Sequence, residues 1–395
     1  MRPPCEDDPV DLDAFQWLLT EPGQSLLVRA AEVRAQGDLG ANDLLRRDAA
    51  PEQVAVALTQ VALREKAVAK FGDLASRMYF TPDGLEQATR LVVARHRAGR
   101  LNAFVTQTLI DLGCSIGGDL IACAEQGITV AGVDLDPVRV AVARANLDAL
   151  GLPGAVKVAD ATTVDTSGFS VAFADPARRG ARGRVFDADG WEPPWAFVES
   201  LLTRTSCVKV APGIPHTLIP DGVEAEWVSD RGEVKEAALW SGTLATVRRR
   251  ATVLGAGGLA TLTDEDDPGA EVREVGSFLY EPDGAVIRAG LVTAVAAGVG
   301  GGLIDQQIAY VTSDASFQTP FARGYRVLEE LPYREKQLKA ALRERSIGRL
   351  TIKKRGVDIV PESLRKRLQL SGPEEGTIVL TRVRDVGSCL LVEPF

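Results

Sequence analysis

Four carboxylates stand at or next to the ends of short apolar runs in the middle of this 395-residue chain: Asp111, Asp134, Asp160 and Asp175. The runs are 108–112, 130–133, 156–158 and 171–174, each the length of a buried strand. One acid at a strand end is usually a helix cap or a turn residue. Four at the same edge of one sheet make a candidate site. A carboxylate at a strand tip can accept both hydroxyl hydrogens of a ribose, which suits Asp134. A carboxylate at the next tip, Asp160, can accept from an adenine amino group. After Asp111 the turn carries Gly113, Gly117 and Gly118, where the missing Cβ lets backbone approach a ligand. Their spacing is not the G-x-G-x-x-G that grips a dinucleotide pyrophosphate, which argues against a nicotinamide-dependent oxidoreductase.

The elements that must position these residues follow from periodicity. A fifth apolar run at 208–211 continues the series, and amphipathic stretches at 138–150 and 196–203 fit helices between runs. Such alternation predicts a parallel sheet wrapped by helices on both faces. Segments 225–228, 237–240 and 246–253 read as closing strands. Residues 10–98 read as helical, with Val54, Leu58, Val61 and Ala62 at helical spacing. Thr81-Pro82-Asp83 is a helix start, and the helix is expected to run to about Gly99. The acidic, Pro-Gly-containing stretch 262–270 reads as a loop and a domain border. A second α/β unit follows, with an apolar helix near 285–297, a glycine cluster at 298–302, a basic helix near 334–344, and strands near 349–353 and 377–383. The expected division is a helical region at 1–99, a catalytic α/β domain at 100–258 and a smaller α/β domain at 259–395.

Composition narrows the class. Five scattered cysteines and two histidines, His96 and His216, offer neither a disulfide framework nor a metal centre. No apolar run is long enough to span a membrane, and the acidic N-terminus lacks the apolar core of a secretory signal. A soluble protein of a reducing cytoplasm is expected. Net charge is −9, yet residues 323–367 carry 14 Lys/Arg against six acids, a local +8. A basic segment in an acidic chain suggests an anionic partner on one face, and a solvated helical surface is the equally weighted alternative.

The motifs DLGCSIGGD, VDLDP, ADA and DPARR together resemble the successive motifs of class I S-adenosylmethionine-dependent methyltransferases, over about residues 104–255. The resemblance implies a Rossmann-like seven-stranded α/β sheet with S-adenosylmethionine as cofactor. It implies that Asp111, Gly113 and Gly117 hold the methionine end of the donor, Asp134 the ribose and Asp160 the adenine. Cys114, Leu135 and Ala161 stand beside them in the same motifs and complete the expected donor set. Asp175 and Pro176 would face the methyl-accepting atom, with Arg178 next to them. MYFTPDGLEQAT, EVKEAAL and YEPDGAVIRAG make the whole chain similar to bacterial proteins that join such a domain to a C-terminal THUMP-like domain. THUMP-type domains bind RNA, so the resemblance implies an RNA partner (rRNA or tRNA), with 323–367 as the candidate contact.

The acceptor atom is less determined. Ala177 and Arg178 replace the second proline and the aromatic of the common amine-methylating motif, although an arginine can stack on a base or pair with phosphate. DPARRG also resembles the sequence of RNA uracil-C5 methyltransferases, which need a cysteine nucleophile. Cys207 is the candidate, but it opens its strand, roughly 16 Å from the carboxyl edge at about 3.3 Å per residue, and reads better as a buried small hydrophobe. Lys209, Glu233, Lys235 and Glu236 are expected to pair with one another at a sheet edge rather than to shape an acceptor pocket. His216 reads as a loop histidine before a general base. The expected activity is methylation of RNA at a base. The alternatives are a small-molecule or protein acceptor, or a catalytically silent RNA-binding protein that keeps the donor pocket.

Overall fold

The computed structural model describes residues 11–36, 45–46, 49–178 and 191–395. The chain divides into two compact units. One comprises Met1–Val210, Pro215–Val223 and Leu239–Ala245, the other Ala211–Ile214, Glu224–Ala238 and Thr246–Phe395.

The first unit begins with helices α1 (Leu12–Leu18), α2 (Glu21–Ala35), α3 (Pro51–Phe71), α4 (Pro82–Gln87) and α5 (Leu91–Ala103). Their starts carry the expected chemistry. Asp11 accepts from Ala14 N at 2.9 Å, and Thr81 accepts from Gly84 N at 3.0 Å, each satisfying a backbone donor that the first turn leaves open. The single helix expected from Pro82 to about Gly99 is instead two. Ala88 leaves α4 with ψ 136°. No glycine or proline breaks the chain there. The Lys70 ammonium, from the last turn of α3, donates to the carbonyls of Leu85, Glu86 and Ala88 at 2.8, 2.5 and 2.9 Å, and so stabilises the interruption.

The α/β part runs β1 (Thr108–Leu112), α6 (Gly118–Glu125), β2 (Thr129–Asp134), α7 (Pro137–Leu150), β3 (Ala155–Val158), β4 (Val171–Ala174), a short β5 (Ala177–Arg178) and β6 (Trp191–Glu192), α8 (Trp195–Leu202) and β7 (Ser206–Val210). Strands β3, β2, β1, β4 and β7 lie side by side and parallel. The inner strands β1, β4 and β7 are buried almost throughout, as a sheet covered on both faces requires, whereas the outer strand β3 is largely exposed. Beyond β7 come β8 (Glu224–Asp230), β9 (Glu233–Ser241), β10 (Arg249–Gly255) and β11 (Gly258–Thr263). The sheet order is β11-β10-β8-β9-β7-β4-β1-β2-β3, so the sheet has nine strands where seven were expected. Strand β10, parallel to β8, overlaps the closing strand expected at 246–253, and β11 folds back antiparallel on it through Gly255 and Gly258.

The second unit contains a seven-stranded sheet, β13-β14-β12-β15-β18-β17-β16. It is formed from β12 (Phe278–Pro282), β13 (Gly302–Asp305), β14 (Ile308–Ser313), β15 (Ala322–Leu331), β16 (Ile347–Lys354), β17 (Glu374–Val383) and β18 (Val386–Pro394). The apolar helix expected near 285–297 is divided into α9 (Gly284–Ala289) and α10 (Val292–Gly298), because Gly290 ends the first in the left-handed conformation. Helices α11 (Glu335–Glu344) and α12 (Pro361–Leu368) lay Leu338, Leu342, Leu364 and Leu368 against Ile347, Leu350 and Ile378, while their charged faces stay wet.

Candidate functional site

The site is built around the turn after β1. Gly113 takes φ +112°, a region where a side chain would be strained. That conformation lets Gly113 N and Cys114 N both donate to Val133 O at 2.9 Å, which folds the turn over the end of β2. The Asp134 carboxylate at that end is clamped from both sides. Ser115 N donates to one oxygen at 2.9 Å and Asp136 N to the other at 3.0 Å. A carboxylate has about four acceptor positions, so two remain for a ligand. Asp136 is occupied elsewhere as the cap of α7, accepting from Val138 N at 2.8 Å. Between the two acids, Leu135 holds its side chain out at 69% exposure.

Asp111 is buried, and its Oδ1 has no hydrogen-bond partner. Burial first, then the negative charges of Asp119, Asp175 and Asp134, push its carboxyl well above the usual carboxylate range, and Arg97 opposes the shift. The Arg97 guanidinium is itself buried, paired with Asp119 and stacked 4.6 Å over the Phe173 ring. At the exposed end of β3, Asp160 accepts from the Thr162 hydroxyl and amide at 2.7 and 2.9 Å, and those bonds hold its carboxyl below the ordinary value.

Asp175 lies beyond β4. The register Ala174↔Val208 puts Lys209 of β7 beside it. The Lys209 ammonium lies 2.5 Å from Asp175 Oδ2 and donates to Thr89 Oγ1 at 3.1 Å. The expectation from sequence does not include these two partners of Lys209. Lys235 does pair with Glu233.

These residues converge on one cleft of about 630 Å³. Asp111, Gly113, Cys114, Asp134, Leu135, Asp160, Ala161 and Asp175 all line it, joined by Ile116, Asp119, Phe173 and the Gln87–Thr89 segment. Three expected residues are not among its lining. Gly117 sits behind the turn, where it starts α6 at φ +83° and a Cβ would lie 3.3 Å from Ala143. Pro176 is buried. Arg178 lies in β5, and its side chain falls outside the described residues. Cys207 is fully buried in β7. His216 opens a short 3-10 turn and does not line the cleft. Sequence reading quoted Thr89 within MYFTPDGLEQAT but missed its place in the cleft, because the interruption at Ala88 has no Gly or Pro to announce it. It missed the role of Lys209, because only strand register brings residues 175 and 209 together. It also missed Asn146, a fully buried side chain that accepts from Tyr79 N at 2.6 Å and donates to Tyr79 O and Ile116 O at 3.0 and 2.9 Å.

The residues fit a cationic donor. An unpartnered buried carboxylate oxygen suits an ammonium, and a clamped carboxylate with open acceptor positions suits a diol. Acids converging from three strand ends favour a sulfonium over an anionic ligand. A parallel sheet with such a cleft at its carboxyl edge is a doubly wound α/β binding architecture, and this set of acids fits a class I methyltransferase within it. Comparison with known proteins agrees. Uncharacterized S-adenosylmethionine-dependent methyltransferases of Mycobacterium tuberculosis, in strains CDC 1551 and H37Rv, are 40% identical over 333 residues, covering 81% of this chain and 90% of theirs. The chain belongs to this family of S-adenosylmethionine-dependent methyltransferases. A solved protein of Porphyromonas gingivalis W83, named a putative methyltransferase, shares the fold with a TM-score of 0.74 at 21% identity, covering 93% of this chain and 98% of that one. A family model described as THUMP domain-like matches residues 322–394, and one described as a domain of unknown function matches 11–67.

Proposed function

We propose that this methyltransferase acts on RNA, at a base of an rRNA or tRNA. The observation that carries the reading is the pairing of a donor cleft ending in Asp175 with a THUMP-like segment whose strands and helices hold the basic stretch 323–367. In this reading Asp111 Oδ1 takes the donor's ammonium, the Gly113–Cys114 turn closes on its methionine end, and Asp134 takes the ribose hydroxyls. Asp160, Leu135 and Ala161 hold the adenine, while Gly117 acts indirectly by starting α6. The bound donor supplies an activated methyl group, so the chain's own task is alignment and exclusion of water. Asp175, with one oxygen engaged by Lys209, keeps the other for an N–H of the acceptor. Pro176 shapes the backbone at that point, and Arg178 stands two residues further on.

The catalytic work is assigned to residues 100–258, the helical region 1–99 supports the cleft wall, and 259–395 docks RNA in a cytoplasmic setting. Within the second unit a cleft of about 880 Å³ is lined by Arg231 and Arg323, by Lys353 and Arg355, which both pair with Glu281 in the same lining, and by the half-exposed Phe317. Cations flanking an aromatic ring are what a single strand requires for its phosphates and bases. Transfer of labelled methyl from S-adenosylmethionine to bulk rRNA and tRNA tests the reading, with Asp175→Ala as control. Ribonuclease-sensitive incorporation that the variant loses is the expected result. Incorporation into protein or small molecules alone sinks it.

A further inference from the structure

One wall of the cleft comes from the end of the MYFTPDGLEQAT stretch, well before β1 in the chain. It is the Gln87–Thr89 segment between α4 and α5, and two lysines from elsewhere in the first unit hold it. Lys70 gathers the three carbonyls of Leu85, Glu86 and Ala88. Lys209 reaches Thr89 and in the same reach holds Asp175. A lysine inside an apolar strand, with its side chain 17% exposed, is costly unless it is paired. Here both of these partners line the cleft, and they come from positions 120 and 34 residues away in sequence.

We propose that Lys209 is a positioning residue for methyl transfer, fixing Asp175 and Thr89 to one ammonium so that a carboxylate oxygen and a hydroxyl face the acceptor side by side. The inference rests on the reading of Asp175 given above. Lys209 engages Asp175 Oδ2, which leaves Oδ1 to accept from the substrate. Thr89 Oγ1 already accepts from Lys209, so its hydroxyl proton is available to a partner other than that lysine. A fixed acceptor beside a fixed donor complements a nucleobase edge, where an N–H stands next to a ring nitrogen or a carbonyl. Lys70 and Lys209 also feel each other: burial, followed by the charge of Lys209, lowers the pKa of Lys70. The segment between them is held by two ammoniums.

The test uses the full-length chain, labelled S-adenosylmethionine and bulk RNA from cells that lack the gene. Asp175→Asn runs in parallel. Lys209→Met is expected to lower kcat roughly 100-fold, the scale of a 1 Å misplacement. Calorimetric affinity for S-adenosylmethionine should stay within about twofold, because the partners Lys209 holds, Asp175 and Thr89, are not assigned to the donor. Lys209→Arg should recover at least about tenfold of the loss, since a guanidinium can still bridge both oxygens. Should Lys209→Met fail to fold, Thr89→Val removes the other anchor at similar volume and is expected to lower kcat about tenfold at unchanged donor affinity. An acceptor-free readout accompanies these: amide exchange over residues 85–91 should accelerate in Lys209→Met. Near-normal kcat in Lys209→Met, with Asp175→Asn inactive, overturns the positioning role and leaves the reading of Asp175 standing. Full activity of Asp175→Asn overturns the reading itself. Unchanged exchange over 85–91 overturns the tie to the wall.

Discussion

Asp111 is the residue whose environment says most about the ligand. It is surrounded by Asp119, Asp134 and Asp175, and Arg97 is the cation that offsets them. Because its pKa is raised in the folded chain, the native state keeps a proton that the unfolded chain has already released. Stability therefore falls as pH climbs from the ordinary carboxylate range through the folded value. A ligand ammonium beside Oδ1 favours the ionised form, so donor affinity rises over the same interval. Asp111→Asn mimics the protonated acid. It is expected to flatten the decline in Tm between pH 5 and pH 8 in the donor-free protein, and to weaken S-adenosylmethionine binding roughly 10- to 100-fold at pH 8, the scale of one hydrogen bond to a charged group. Thermal unfolding at both pH values and calorimetric titration check this. Parallel pH slopes for variant and wild type would show that Asp111 is not the group responsible.

At the scale of elements, the cleft exists because several elements are pinned to one another by side chains outside the motifs. Asn146 of α7 satisfies both backbone groups of Tyr79 and the carbonyl of Ile116, so it joins the segment before α4 to the turn after β1. Gly132 in β2 has the opposite role: a Cβ there would meet Leu120 and Cys114 at 2.7 and 2.8 Å, so its bareness lets the turn close. Asn146→Ala leaves three buried backbone groups without partners. At roughly 1–3 kcal/mol for each unsatisfied group, a loss of about 3 kcal/mol or more is expected. For a unit of this size that is a fall in Tm on the order of 6–12 °C. Differential scanning calorimetry measures it. A fall of less than about 2 °C would mean that water replaces the side chain without penalty.

At the scale of the whole molecule, charge is what separates the acceptor classes. The chain is acidic overall, and many cations of the 323–367 stretch have partners inside the second unit: Arg345 with Glu329, Arg349 with Glu375, Lys353 with Glu281 and Arg367 with Glu335. Formal charge therefore overstates what this segment offers to a polyanion. Arg323, Lys354 and Lys366 are exposed, and they are the positions to test. Replacing all three with Gln should lower RNA affinity and reduce the slope of log affinity against log salt by about 2 to 3, at roughly 0.7–0.9 for each phosphate no longer neutralised. Filter binding between 50 and 200 mM salt reads the slope. An unchanged slope would remove these residues from the RNA interface and favour the solvated-surface reading of the segment.

Local chemistry determined a good deal by itself. Strand-length apolar runs ending in acids pointed to the α/β class, and the glycine turn with Asp134 and Asp160 pointed to the carboxyl edge as the proposed donor side. Both follow because periodicity and turn chemistry act within about ten residues. The nine-stranded extent of the sheet, the interruption at Ala88 and the place of Gly117 behind the turn were decided by tertiary structure. So were the pairing of Lys209 with Asp175 and the satisfaction of Asn146. Each depends on residues far apart in sequence meeting in space: a strand register, or a lysine reaching carbonyls 15 to 18 positions away. Nothing in the neighbouring residues encodes such meetings. They form only when packed elements bring a buried charge or amide to the partners that offset its loss of water.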